Sequence, residues 1–309
     1  LEGATAYLVG DAGQGFKQMT DMINMSRLAN GVRSAGLMRR AVSEALFISQ
    51  NRTAFGKQLI DLPLMRRQLM KMLVTAEQGR SMVFHTARVL QAADAGDAEM
   101  AKVLRILTPL IKFRTCRDAR KVAGDGMEVR GGCGYIEEWS DARVLRDAHL
   151  GSIWEGTSNI VALDVARAVR RAGALDALRA YVGTLLEDAR EAGTDVAKVA
   201  ACFDRAADLL DVVANDRVRE GDVRAAASAV YNATSAAIMV WEDAKLSGDA
   251  GYSGDRKRLA DAVIAHKLTA HDPLAAPAAG SSEDDAAIAA LLNRALVSDV
   301  TPQTQIAAQ

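Results

Sequence analysis

LMRRQLMKMLVTAEQGRSMVFHTARVLQA, from Leu64 to Ala92, decides the fold. Met65, Leu69, Met72, Ala76, Met82, Val83 and Leu90 recur at three- and four-residue steps, the period of one face of an α-helix. The same period continues on both sides. Upstream, Leu28, Val32, Ala35, Val42 and Leu46 predict a helix beginning at Phe16, and Asn51 to Pro63 breaks it with a loop. Downstream, a turn at Ala93 to Asp97 leads to a third helix over Ala98 to Gly124. Met100, Val103, Leu107 and Ile111 face inward there, and Pro109 should bend it locally. A fourth covers about Ser158 to Arg171. Four long amphipathic helices with short links predict an all-α fold, an antiparallel four-helix bundle.

The flanks add three segments. LEGATAYLVG, residues 1–10, reads as a short strand before a glycine-rich turn at Asp11 to Gly15. No clear second strand follows, so it reads as a short remnant of a β-domain. Leu175 to Leu268 predict two or three further alanine-rich helices, marked by Leu178, Leu185, Val196, Leu209, Leu210, Val213, Ala229 and Ile238. Asp272 to Asp285 reads as a linker. Ala286 to Val297 forms a last short helix, and Thr301 to Gln309 frays. The boundaries fall at 1–15, 16–172, 173–271 and 272–309.

Half of the 309 residues are apolar and only 5% are aromatic. Such a chain buries a substantial core, and its composition favours helices. The net charge of −1 argues against a general nucleic-acid or membrane-surface role. Cys116, Cys133 and Cys202 are odd in number, fit no metal spacing and suggest a reducing, cytoplasmic compartment. No run reaches the roughly 18 apolar residues of a membrane span. No signal peptide is visible, and a chain that starts with Leu1 reads as a fragment or processed product.

Gly151-Ser152-Ile153-Trp154-Glu155-Gly156-Thr157-Ser158-Asn159-Ile160 carries the most chemistry. A carboxylate beside an indole is poorly solvated and makes a base suited to carbon acids near neutral pH. Gly156 leaves room for a flat ligand. Thr157, Ser158 or Asn159 can cap the following helix, leaving backbone N–H groups free at its start. In Asn51-Arg52-Thr53-Ala54-Phe55-Gly56-Lys57, Arg52 could fork onto a phosphate and Phe55 cover a ring. Alone they read better as a surface arginine and a core phenylalanine at a helix end, because single arginines near helix ends are common. Gly131-Gly132-Cys133-Gly134 is either a loop that lets backbone approach a ligand or a tight interhelical turn, with Cys133 a buried structural thiol. Gly10 to Gly15 reads as a plain turn, because a dinucleotide loop needs a second strand. Glu137 and Glu138 diverge, and His85 and His149 lack a metal-spaced partner. Asp255 to Arg258 reads as a solvated helix face.

Together these segments resemble the C-terminal helical domain of the acyl-CoA dehydrogenase family. The likeness rests on Met25-Ser26-Arg27, Arg52-Thr53-Ala54-Phe55-Gly56, Gly131 to Tyr135, Arg146-Asp147 and Trp154-Glu155-Gly156-Thr157, in family order over about Ala4 to Arg170. It implies a flavoprotein oxidoreductase of fatty-acid metabolism that converts an acyl-CoA to a trans-2-enoyl-CoA. Glu155 would abstract the α-proton, and FAD would take the β-hydride. Thr157 and Asn159 would lie near the FAD. Arg52, Phe55, Glu128, Gly131 and Gly132 would meet the FAD of a neighbouring subunit in a homodimer or homotetramer. Arg27 and Gly156 would contact substrate, and electron-transfer flavoprotein would be the acceptor. Residues 1–15 would end the family's middle β-domain. Lacking most of that domain and the N-terminal one, this chain alone should bind FAD poorly and turn over little. Glu128, where many members have glutamine, and Cys133, in place of a common asparagine, depart from the family pattern. Tyr135 to Trp139 and Ile153 to Ile160 also look like the adaptive-response branch, linked to alkylation damage. DNA binding by such a homologue, or a helical oligomerisation module, are the alternatives. Near-neutral charge argues against the first, and retained Glu155 against the second.

Overall fold

A computed structural model describes residues 2–270, 272, 274 and 282–295. It is helical nearly throughout. Three long helices open it: α1 (Gly15–Asn51), α2 (Pro63–Asp94) and α3 (Ala98–Arg130). A two-stranded hairpin, β1 (Thr53–Ala54) and β2 (Lys57–Gln58), links α1 to α2. Short α4 (Gly132–Tyr135) and α5 (Asp141–Leu150) lead to α6 (Ser158–Ala172), which packs on α3 and completes the bundle.

Local chemistry sets the boundaries. Pro63 starts α2 where a missing N–H costs nothing. Asp97 caps α3, its Oδ1 accepting the Glu99 and Met100 N–H groups at 3.0 Å. α3 runs past Pro109 without a break. It also continues six residues beyond Gly124, where the sequence suggests a loop. A Cβ on Gly126 would sit 3.3 Å from Ala41 Cβ, so that glycine permits close approach of α1 and α3 rather than a turn. The helix stops at Gly131, whose φ of +74° takes the chain out of the helix.

Residues 2–14 form no strand. A strand needs a partner for its ladder, and the described residues offer none there. Beyond α6 come α7 (Ala174–Glu191), α8 (Ala197–Asn215), α9 (Val223–Leu246) and α10 (Asp255–Val263). α9 is the hub. It packs against α2, α3, α6, α7, α8 and α10, and Val230 to Val240 are buried without interruption. A helix apolar on every side belongs in a core, and one core runs from Leu28 through α9 to Leu292. The last helix, α11 (Ser282–Ala295), begins four residues before its expected start. The expected linker lies mostly outside the described residues, and the frayed end wholly so. No described helix is long and apolar enough to cross a membrane.

The expected solvated helix face at 255–258 also reverses at its centre. Arg256 is buried, not solvated. Its guanidinium meets Glu77 of α2 at 2.5 Å and Glu242 of α9 at 2.9 Å. α10 docks by this charged contact because α2 and α9 each bury one acid facing it.

Candidate active site

The turn between α5 and α6 carries Glu155, and α1 and α3 hold it. Ser26 Oγ donates to Glu155 Oε1 at 3.0 Å, and Arg27 Nε donates to the Glu155 carbonyl oxygen at 3.2 Å. Arg27 Nη1 also meets Asp164 Oδ2 of α6 at 2.7 Å. Arg105 of α3 donates to both oxygens of Asp164, at 2.8 and 3.2 Å. Burial pushes the Asp164 carboxyl up, but Arg105 and Arg27 outweigh it and hold it below the usual carboxylate range. Asp164 thereby fixes Arg27, and Arg27 fixes the backbone of Glu155.

Lys112 of α3 grips the same turn from below. Its side chain is 2% exposed, and Nζ donates to the carbonyls of Gly151 at 2.7 Å and Gly156 at 2.9 Å. Burial, the largest influence, pulls the ammonium below its ordinary pKa; Cys116 and Glu155 oppose that shift and Arg27 adds to it. The ammonium spans the turn from before Glu155 to after it. Glu155 itself has φ +56°, and Gly156 follows at +102°. A left-handed glutamate costs about 1–2 kcal/mol and persists only where its surroundings over-determine it.

The sequence points to Trp154 as the wall beside the carboxylate. That indole is half exposed, with the Arg33 guanidinium 5.6 Å from its centroid. Ser26 supplies the hydrogen bond to the carboxylate instead. Thr157 is the N-cap residue of α6, but its hydroxyl makes no bond back to the first turn. Asn159 Oδ1 accepts from Arg224 Nη1 of α9 at 3.2 Å.

The remaining candidates gather at the other end of α1. Arg52 Nη1 donates to the Arg130 carbonyl at 3.0 Å, beside Gly131. Phe55 and Gly56 turn the hairpin with φ of +53° and +74°, the two left-handed residues a tight two-residue turn needs. Phe55 is 93% exposed, so it is no core residue. Gly131, Gly132 and Cys133 are exposed too, which corrects the buried thiol. Glu128 Oε2 accepts from Gln68 Nε2 at 3.4 Å. At 1.5 Å per residue, positions 27 and 52 lie about 38 Å apart along α1. The candidates therefore form two clusters, not one.

Sequence reasoning missed Ser26, Arg105, Lys112 and Asp164 as members of the Glu155 group. Lys112 left a signal: a lone cation in Leu110-Ile111-Lys112-Phe113. Ser26 stands in the Met25-Ser26-Arg27 segment but without a link to Glu155, and Arg105 and Asp164 carry no signal, because their partners lie far away in sequence. Among the described residues, no group of three or more His, Cys, Asp or Glu side chains could hold a metal ion.

Comparisons with known proteins show what the chain is similar to. Residues 13–170, just over half the chain, match the family model described as "Acyl-CoA dehydrogenase, C-terminal domain". Acyl-CoA dehydrogenase family member 11 of Caenorhabditis elegans is 39% identical over 170 residues, 54% of this chain and 27% of that protein. 3-Methylmercaptopropionyl-CoA dehydrogenase of Ruegeria pomeroyi is 34% identical over 192 residues, 58% of this chain and 33% of that one. The crystal structure of C. elegans ACDH-11 in complex with C11-CoA superposes with a TM-score of 0.74 at 27% identity, over 85% of this chain and 46% of that one. The matched region thus spans about a quarter to a third of the curated relatives. The family-model match over residues 13–170, carried on a helical bundle that superposes on the C. elegans relative, makes this chain a member of the acyl-CoA dehydrogenase family.

Proposed function

We propose that this chain is the C-terminal portion of a flavin-dependent acyl-CoA dehydrogenase. Its reaction is the oxidation of an acyl-CoA to a trans-2-enoyl-CoA. One observation carries the reading: Glu155 is held in a strained backbone conformation by Ser26, Arg27 and Lys112, three side chains from two other elements. Strain of this kind belongs to sites rather than to plain turns. C11-CoA in the complex of the C. elegans relative supports an acyl-CoA substrate.

Glu155 removes the α-proton of the thioester. Ser26 steadies the carboxylate before transfer. The Glu155 backbone N–H donates to the thioester oxygen, where negative charge develops. Arg27 and Gly156 line the substrate side. FAD, when bound, supplies the hydride acceptor. The residues present fit that group, because they offer an exposed cation, an exposed flat ring and bare glycine backbone. Thr157 and Asn159 face the cofactor of their own subunit. Arg52, Phe55, Glu128, Gly131 and Gly132 face that of a neighbour, since about 38 Å separates them from the Glu155 end of α1. A homodimer or homotetramer follows. Electron-transfer flavoprotein is the proposed acceptor, and the unpaired cysteines suit a reducing, cytoplasmic setting. In this reading residues 1–15 end a middle β-domain, 16–172 form the family bundle, 173–271 extend it, and 272–309 are a linker with a terminal helix.

The test is the visible spectrum of the flavin-loaded protein, produced from the whole gene. Acyl-CoA thioesters of several chain lengths should bleach the flavin bands. Glu155→Gln should retain flavin and lose bleaching. Bleaching at the wild-type rate in that variant contradicts the assignment.

A further inference from the structure

Arginines crowd together where the C-terminal helices meet the bundle. Arg114, Arg117 and Arg120 recur every third residue along α3, and all three are half-buried. α9 faces them. Arg114 Nη1 donates to Ser228 Oγ of α9 at 3.5 Å, and Arg224 lies one turn before Ser228. Arg224 in turn reaches Asn159 in the first turn of α6. Two elements, α3 and α9, therefore bring cations to one junction beside the first turn of α6, which the docking of α9 creates.

Little there neutralises them. Asp118 pairs with Arg114 at 2.6 Å. Among the described residues, no ion pair joins Arg117, Arg120 or Arg224 to a carboxylate. Arg224 has only the neutral Asn159 amide. Arg114 Nε is buried with no acceptor. The Arg117 guanidinium loses basicity, first to burial and then to Arg224, Arg120 and Arg114. The α6 N-terminus, whose Thr157 hydroxyl does not cap it, adds outward N–H groups and a positive dipole end. Clustered like charges destabilise a fold unless an anion joins them, and guanidinium forks match phosphate oxygens.

We propose that Arg114, Arg117, Arg120 and Arg224 form a binding site for a phosphate group at the α3–α6–α9 junction. The ligand is phosphate or the phosphomonoester of a small nucleotide. The site adjoins Thr157 and Asn159, which the dehydrogenase reading turns toward the cofactor, but its four arginines take no part in that reading, and it gives the C-terminal helices a role of their own.

The test uses this chain as it stands, melted in sodium phosphate and in sodium chloride at matched ionic strength. Phosphate also stabilises proteins in general by exclusion, so the arginine variants are the control. Wild type should show a saturable rise in Tm of about 2–4 °C with phosphate. Arg117→Gln and Arg224→Gln should lose the saturable part. Each should also melt above wild type in chloride, because a like charge has gone. Competition by CoA but not by dephospho-CoA assigns the group to a nucleotide 3′-phosphate; competition by neither assigns it to free phosphate. Equal phosphate responses in wild type and variants overturn the site. So do variants that melt no higher in chloride, or a chain that responds to duplex DNA and not to phosphate.

Discussion

Among the described residues, two that are not glycine adopt a left-handed backbone, Phe55 and Glu155, and both are proposed site residues. Their strain has different supports. Glu155 is tied down by three side chains, whereas Phe55 has only its hairpin. Phe55→Asn should therefore stabilise the chain by about 0.5–1 kcal/mol, since asparagine tolerates that backbone better. It should also weaken flavin retention. Urea unfolding and flavin content after gel filtration check the two halves. Lys112→Met sets opposing effects against each other. It relieves a buried charge but orphans two carbonyls, each worth about 1–3 kcal/mol when left unsatisfied. Global stability should shift little, while hydrogen exchange at residues 151–157 should rise selectively. A uniform rise along the chain contradicts the clamp. Glu155, Arg52 and the Gly131 loop could be proposed from sequence because each stands inside a short local motif and the motifs occur together in order. Ser26 and Asp164 were not, because their roles exist only after α1 and α6 meet.

At the scale of elements, buried charge decides how the C-terminal helices dock. Arg256→Met leaves Glu77 and Glu242 without their shared cation and should cost about 3–5 kcal/mol in urea unfolding. Adding Glu77→Gln and Glu242→Gln should recover most of that. The α2–α7–α9 contact brings pH dependence. His85 meets the Tyr181 hydroxyl at 3.0 Å and Trp241 edge-on at 5.1 Å. Burial first, then Arg88 and Arg256, pull its pKa from 6.5 to about 4. Between those values the unfolded chain binds the extra proton, so stability falls as pH falls from 6.5 to 4, by about 3 kcal/mol in all. His85→Gln should flatten that slope in unfolding measured at a series of pH values. Helix periods made the four bundle helices readable. The charge run at 255–258 misled, because a run of charges shows nothing of the acids another helix will bring to it. Gly126 misled likewise: a glycine that lets helices touch reads in sequence like one that turns the chain.

For the whole molecule, α1 is a spacer about 38 Å long between the Glu155 cluster and the Arg52 cluster. Under the proposed function, an active assembly needs Glu155 from one subunit and Arg52 from another. Glu155→Gln and Arg52→Ala should each be inactive alone, and co-assembled they should regain part of the activity, because some sites draw both intact groups. No regain in verified mixed oligomers contradicts the shared site. The central claim is that Glu155 is the base, and α-proton exchange tests it most directly. The flavin-loaded protein, incubated in D₂O with an acyl-CoA analogue that cannot lose a β-hydride, should wash deuterium into the α-position, read by proton NMR. Glu155→Gln should keep its flavin and show no exchange above the uncatalysed rate. Exchange at the wild-type rate in that variant would contradict the claim.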